Sequence, residues 1–160
     1  MSKVIFESPE IALKDNEYWC PKALPSDVKI EWDFMPVNGT GSAALTFSQK
    51  DENAFHVLYF RREDDEQKRF HLCHLIKDPG GNIVATGADP LPDISDNPSW
   101  YHMTILKKAK DVVFFIDDLE VLYFSDDGLK YGDYLTGGTL GIRQSSTLKA
   151  QYRNLRITWI

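Results

Sequence analysis

No stretch of this chain carries apolar residues at helical spacing over a useful length, and what remains is the signature of an all-β protein. No apolar run approaches the ~20 residues that a membrane span requires, and residues 1–10 hold none long enough for a signal peptide. The chain is therefore expected to be cytoplasmic and to have no membrane partner. Positive charge is short as well: 18 Lys and Arg stand against 24 Asp and Glu, a formal net charge of −6, so a nucleic acid duplex would meet net repulsion. Cysteine is scarce, and Cys20 and Cys73, far apart in sequence, read as two buried thiols in a reducing compartment. No glycine-rich loop leads from a strand into a helix to cradle a phosphate, and no serine stands in a nucleophile elbow. Nucleotide and acyl-transfer chemistry are set aside.

What is present is a series of short strands punctuated by turns. From Val28 the pattern alternates, with Val28, Ile30, Trp32 and Phe34 on one face and Lys29, Glu31, Asp33 and Met35 on the other. Pro36 and residues 38–41 are expected to end that strand, after which Ala43, Leu45 and Phe47 resume the inward set. Residues 55–62 and 69–76 read as strands joined by a charged run, and Asp78-Pro79-Gly80-Gly81-Asn82 is a strong turn signal before a strand at 83–86. A proline-rich loop follows to about Pro98. Residues 101–106, 111–116 and 119–124 form a meander, and the last strand places Leu155, Ile157 and Trp159 on one face. About ten short strands in one domain over residues 1–160, with 42% hydrophobic content to fill one core, imply a two-sheet antiparallel jelly-roll sandwich.

The order Trp19-Cys20-Pro21, Glu31-Trp32-Asp33-Phe34, Tyr59-Phe60-Arg61-Arg62, then 85–92 (Ala-Thr-Gly-Ala-Asp-Pro-Leu-Pro), Asp126-Asp127-Gly128 with Tyr131-Gly132, and Gly141-Ile142-Arg143-Gln144 resembles the YesU-like family of bacterial proteins, domain of unknown function family 1961. The resemblance implies a concanavalin A-like jelly roll with a sugar groove on the concave sheet and a place in pectin or rhamnogalacturonan utilisation. Family members are usually longer, with an insertion before the Tyr-Phe-Arg-Arg strand, where this chain has only residues 48–54.

Residues two apart on a strand share a face, and with Leu58 and Phe60 inward, Val57, Tyr59 and Arg61 are expected to face out. With Phe70, Leu72 and Ile76 inward, His71 and Cys73 join them; with Leu140 and Ile142 inward, Arg143 points out beside Gly141. The expected ligand-binding set is Tyr59, Arg61, His71 and Arg143, with Asp89 from the proline-rich loop. Arginine's planar fork suits a carboxylate and an aromatic ring suits the C–H face of a sugar, which points to a uronate-containing oligosaccharide as partner. The bland reading of the same residues is an ordinary solvated sheet face with arginine stems covering apolar surface. Trp19 and Trp100 border loops where a stacking residue or an edge-packing residue would serve equally, whereas Trp32 and Trp159 lie in inward series.

Two enzyme readings use the same faces. A lyase acting on acidic oligosaccharides needs a base, His71 or Tyr59, and a cation, Arg61 or Arg143. A retaining glycoside hydrolase needs two carboxyl groups about 5–5.5 Å apart, and although Glu31 and Asp33 share a face, Met35 stands where the Glu-x-Asp-x-Glu pattern of jelly-roll glucanases needs its third acid. No cofactor is implied. His71 and His74 fall on opposite faces of a strand and cannot jointly hold zinc; the acidic turns at Asp126-Asp127-Gly128, Asp117-Asp118 and 93–96 leave room for a structural calcium, with turn chemistry the plainer reading. A third reading makes the exposed sheet a self-association surface for a homodimer.

Overall fold

The computed structural model describes residues 2–63, 71–88, 90 and 98–160, with the side chains of Glu63 and His71 outside that description. Among these residues the chain forms twelve strands: β1 (Lys3–Glu10), β2 (Glu17–Trp19), β3 (Val28–Gly39), β4 (Ala43–Gln49), β5 (Phe55–Glu63), β6 (His71–Asp78), β7 (Asn82–Ala88), β8 (Tyr101–Lys108), β9 (Asp111–Ile116), β10 (Leu119–Ser125), β11 (Thr139–Gln144) and β12 (Leu148–Trp159). They pair into two six-stranded antiparallel sheets, in the orders β1-β12-β3-β8-β9-β10 and β2-β11-β4-β5-β6-β7. The jelly-roll sandwich implied by the alternation is the fold observed. β2, only three residues long, has no signal of its own in the sequence and exists because β11 pairs with it through Gly141↔Trp19 and Arg143↔Glu17.

Burial follows the expected alternation where that alternation is strongest. Val28, Ile30, Trp32 and Phe34 of β3 face Ala43, Leu45 and Phe47 of β4, and all seven are 0% exposed. At about 1.5–3 kcal/mol for each large apolar side chain removed from water, such rows are what hold one sheet on the other. The join is tightest at Phe60, whose ring meets Trp32 and Phe34 of the other sheet edge-on at 5.2 and 5.0 Å. Cys20 and Cys73 are both buried, the Cys73 thiol donating to Phe60 O at 3.6 Å.

Three expectations on strand detail are corrected. β3 does not stop at Pro36 but runs to Gly39, because β8 is in register only as far as Phe34↔Tyr101 and β3 beyond it keeps β12 alone, where a missing N–H is tolerated as on an edge strand. β6 has the opposite parity to the one expected: Cys73, Leu75 and Lys77 point inward, while Leu72 and Ile76 are only half-buried on the outer face. Trp159 stays on the side of Val28 but overruns the core and is 51% exposed.

Candidate functional site

The outer face of the sheet β2-β11-β4-β5-β6-β7 carries two of the five expected site residues, Tyr59 and Arg143. The cross-strand partners Arg143↔Ala44, Ala44↔Tyr59, Tyr59↔His74 and His74↔Thr86 place one row of side chains across five strands. A cleft of about 310 Å³ opens on this row, lined by Ser42, Ala44, Tyr59, Arg62, Arg143, Gln144 and Ser145. Its floor is the small side chain of Ala44, and its walls are the two arginines and the tyrosine.

Tyr59 and Arg143 are therefore brought together, but Arg61 is not with them. β5 has a bulge between Tyr59 and Arg62, in its pairing with both β4 and β6, and the extra residue reverses the parity. Arg61 turns inward to 2% exposure, close enough that its charge opposes the burial-driven rise of the Tyr152 phenol. Arg62 takes the outward place, its guanidinium carbon 4.7 Å from the centre of the Tyr59 ring. His71 opens β6 opposite Glu63, and the expectation for its side chain falls outside the described residues, as does Asp89 altogether. The outer face carries His74, whose Nδ1 lies 3.5 Å from Thr86 Oγ1 and which burial, with the Arg62 charge, holds below the ordinary histidine range. Neither Arg62 nor His74 is in the expected ligand-binding set; the bulge that presents Arg62 leaves no local mark.

The cleft's far wall is prebuilt. Gln144 donates to Leu148 O at 2.8 Å and accepts from the Tyr152 hydroxyl at 2.8 Å, and the Ser145 hydroxyl accepts from Ser42 N at 2.9 Å. Among the described residues no carboxylate lines the cleft and neither Arg62 nor Arg143 is in an ion pair. At the β2 edge of the same face, Trp19 lies over Gly141: a Cβ there would stand 2.5–2.8 Å from three ring atoms, so only glycine lets the indole come this close to the strand. Trp19 is 47% exposed.

A second groove, about 470 Å³, lies on the outer face of the other sheet, between β1, β12, β3 and β8. Here Glu31 and Asp33 do share a face, and His102 of β8 stands between them, Nε2 at 2.9 Å from Glu31 and Nδ1 at 2.8 Å from Asp33. Asp33 also accepts from Asn154 Nδ2 at 2.9 Å and Arg153 Nε at 3.3 Å, Lys29 is 3.5 Å from Glu31, and Arg156 pairs with Glu7 at 2.7 Å. The charged groups in this groove are thus already engaged with one another. Burial by itself would lower the His102 pKa, but its hydrogen bonds to Asp33 and Glu31 and their charges outweigh it and raise the value. Burial would likewise raise that of Asp33, and the bonds from His102, Asn154 and Arg153 bring it below the ordinary range instead.

The sign of the resulting pH dependence is fixed by those two directions. Stability from His102 is fully present below its unfolded value of about 6.5 and is lost as pH rises through the higher folded value. That from Asp33 is present above its unfolded value of about 3.9 and is lost as pH falls through the lower folded one. A neutral imidazole has one N–H and cannot donate to both carboxylates. The stability that His102 contributes is therefore expected to decline as pH rises above about 6.5, so that the gap in melting temperature between wild type and His102→Gln narrows from pH 5 to 8.5, whatever slope His56 and His74, both shifted the other way, add to both proteins; a constant gap would contradict the assignment.

The acidic turn at Asp126 is used internally. Lys77 donates to Asp126 Oδ2 at 2.6 Å, Asp133 O at 2.7 Å and Gly132 O at 3.0 Å, while Gly128 N donates to Asp126 Oδ1 at 2.8 Å. Asp127 Oδ1 accepts from Leu129 N and Lys130 N, the turn chemistry expected of it, and Asp117 Oδ1 accepts from His102 N. Residues 93–96 lie outside the described residues. Next to Lys77 the buried His56 is held at about 3 by burial and by the Lys107 and Lys77 charges, so it is neutral at any ordinary pH.

Residues 46–157 match the family described as a domain of unknown function, DUF1961. A protein of Bacillus subtilis (strain 168) described as uncharacterized protein YesU is 34% identical over 165 residues, covering 88% of this chain and 75% of the relative. Among solved structures, a Bacillus subtilis protein of unknown function with a galectin-like fold matches with a TM-score of 0.83 at 27% identity, over 98% of this chain and 97% of that one. Carbohydrate-binding module CBM66 from Bacillus subtilis matches with a TM-score of 0.63 at 17% identity, over 96% and 92%. The last likeness is one of fold.

Proposed function

The chain belongs to the DUF1961 family, and on that footing we propose that it binds carbohydrate in the cleft over Ala44, with an acidic oligosaccharide of the pectin or rhamnogalacturonan class as ligand. One observation carries the reading: Arg62 and Arg143 converge on a cleft with no lining carboxylate among the described residues, in a chain of net charge −6. Two guanidinium forks on a small-residue floor suit a uronate carboxylate, and the Tyr59 ring that holds Arg62 reduces the ordering cost of engaging it. A carbohydrate-binding module among the structures of like fold agrees with this use of the sandwich.

A lyase is the second reading, favoured by His74: held below the ordinary histidine range by burial and by the Arg62 charge, it is a base paired with Tyr59 and near a cation that would steady a developing enolate. A hydrolase with Glu31 and Asp33 finds less support, because both carboxylates are tied to His102 on the opposite sheet. The test is a panel of neutral and uronate oligosaccharides read by thermal shift and by product, including the absorbance of unsaturated sugars. A shift with uronates and no product is expected; unsaturated product would favour the lyase, and silence across the panel would overturn the reading.

A further inference from the structure

We propose that Trp19, seated on Gly141, is a second subsite that takes the C–H face of the sugar ring next to the one held between Arg62 and Arg143. This rests on the reading of the cleft as a carbohydrate site and deepens it: the ligand is an oligomer of at least two units, not a single sugar acid.

The placement follows from register. Gly141 and Arg143 are two apart on β11 and so project on one face, about 7 Å apart along the strand. Trp19 is paired with Gly141 and shares that face, whereas its neighbour Tyr18 points inward and packs on the core. The indole thus stands one row along from Arg143, Ala44 and Tyr59, on the same face but outside the lining of the cleft. Its ring is not adrift: the strand carrying it is pinned by Cys20 N donating to Leu140 O at 2.9 Å and Gln144 N donating to Asn16 O at 3.1 Å. The missing side chain at Gly141 lets one edge of the ring lie against backbone, and about half the residue remains open to solvent. A large aromatic on a strand and still exposed, near two guanidinium groups that make no ion pair among the described residues, is a preorganised stacking platform, since an indole offers its apolar face at little cost in rotamer entropy.

Calorimetric titrations of galacturonate monomer and trimer against wild type, Trp19→Ala, Trp19→Phe and Gly141→Ala, with folding of each checked by circular dichroism, test it. The wild type is expected to bind the trimer about tenfold more tightly than the monomer, a factor set by one stacking contact. Trp19→Ala loses that gain and keeps monomer affinity, and Trp19→Phe retains most of it. Gly141→Ala, whose Cβ would stand 2.5 Å from the ring, displaces the indole and loses the gain with the tryptophan still present. Retention of the full gain in Trp19→Ala overturns the subsite and leaves the arginine cleft standing. A monomer that binds wild type and Arg62→Ala equally overturns the cleft reading, and no binding of either sugar overturns both.

Discussion

Replacing Lys77 by methionine is expected to destabilise the protein by about 3–5 kcal/mol, the usual result of removing one partner of a buried ion pair. The two side chains are 2% and 5% exposed, so the variant leaves the Asp126 carboxylate out of water with its cation gone. It also strips the donor from Gly132 O and Asp133 O, two carbonyls of the segment that leads from β10 to β11. Lys77→Met/Asp126→Asn is expected to recover part of the loss, because neither charge is then stranded. Urea unfolding of the wild type, both single variants and the double variant gives the coupling directly; additive effects would show that Lys77 and Asp126 do not act as a pair.

Arg62→Ala and Arg143→Ala are each expected to weaken uronate binding about 10- to 100-fold, the equivalent of losing one charge-assisted hydrogen bond of about 1.5–3 kcal/mol. Arg62→Lys should recover little, since an ammonium keeps the charge but not the planar fork. Arg61→Ala, one residue away but 2% exposed, is expected to lower stability and leave affinity nearly unchanged in the folded fraction. Calorimetry alongside urea unfolding separates the two roles. The reverse pattern, with Arg61 governing affinity, would restore the simple alternation of β5 and discard the bulge.

How far the sequence could be read depended on whether a strand's neighbours agreed with its own pattern. β3 was legible because Val28, Ile30, Trp32 and Phe34 alternate with polar residues and no bulge interrupts them. β5 was legible as a strand but not as a face, since the bulge at Tyr59/Arg62 arises from its pairing with β4 and β6 rather than from its residues. β6 misled for a physical reason. Leu72 and Ile76 are apolar yet only half-buried on the outer face, while Lys77 looks like a surface residue and is buried because a carboxylate 49 positions later receives its ammonium. His102 shows no motif either, its partners Asp33 and Glu31 being 69 and 71 residues away. The outward placing of Tyr59 and of Arg143 beside Gly141 was legible from local pattern, because Leu58 and Phe60 on β5 and Leu140 and Ile142 on β11 lie on the core side.

The measurement that reaches the central claim most directly is an amide chemical-shift titration of the isotopically labelled protein with galacturonate trimer. Binding at the arginine cleft predicts shifts concentrated at Ser42, Ala44, Tyr59, Arg62 and Gly141 to Ser145, saturating together, with Glu31, Asp33 and His102 unmoved. Shifts centred instead on the His102 groove, or none at millimolar sugar, would contradict it.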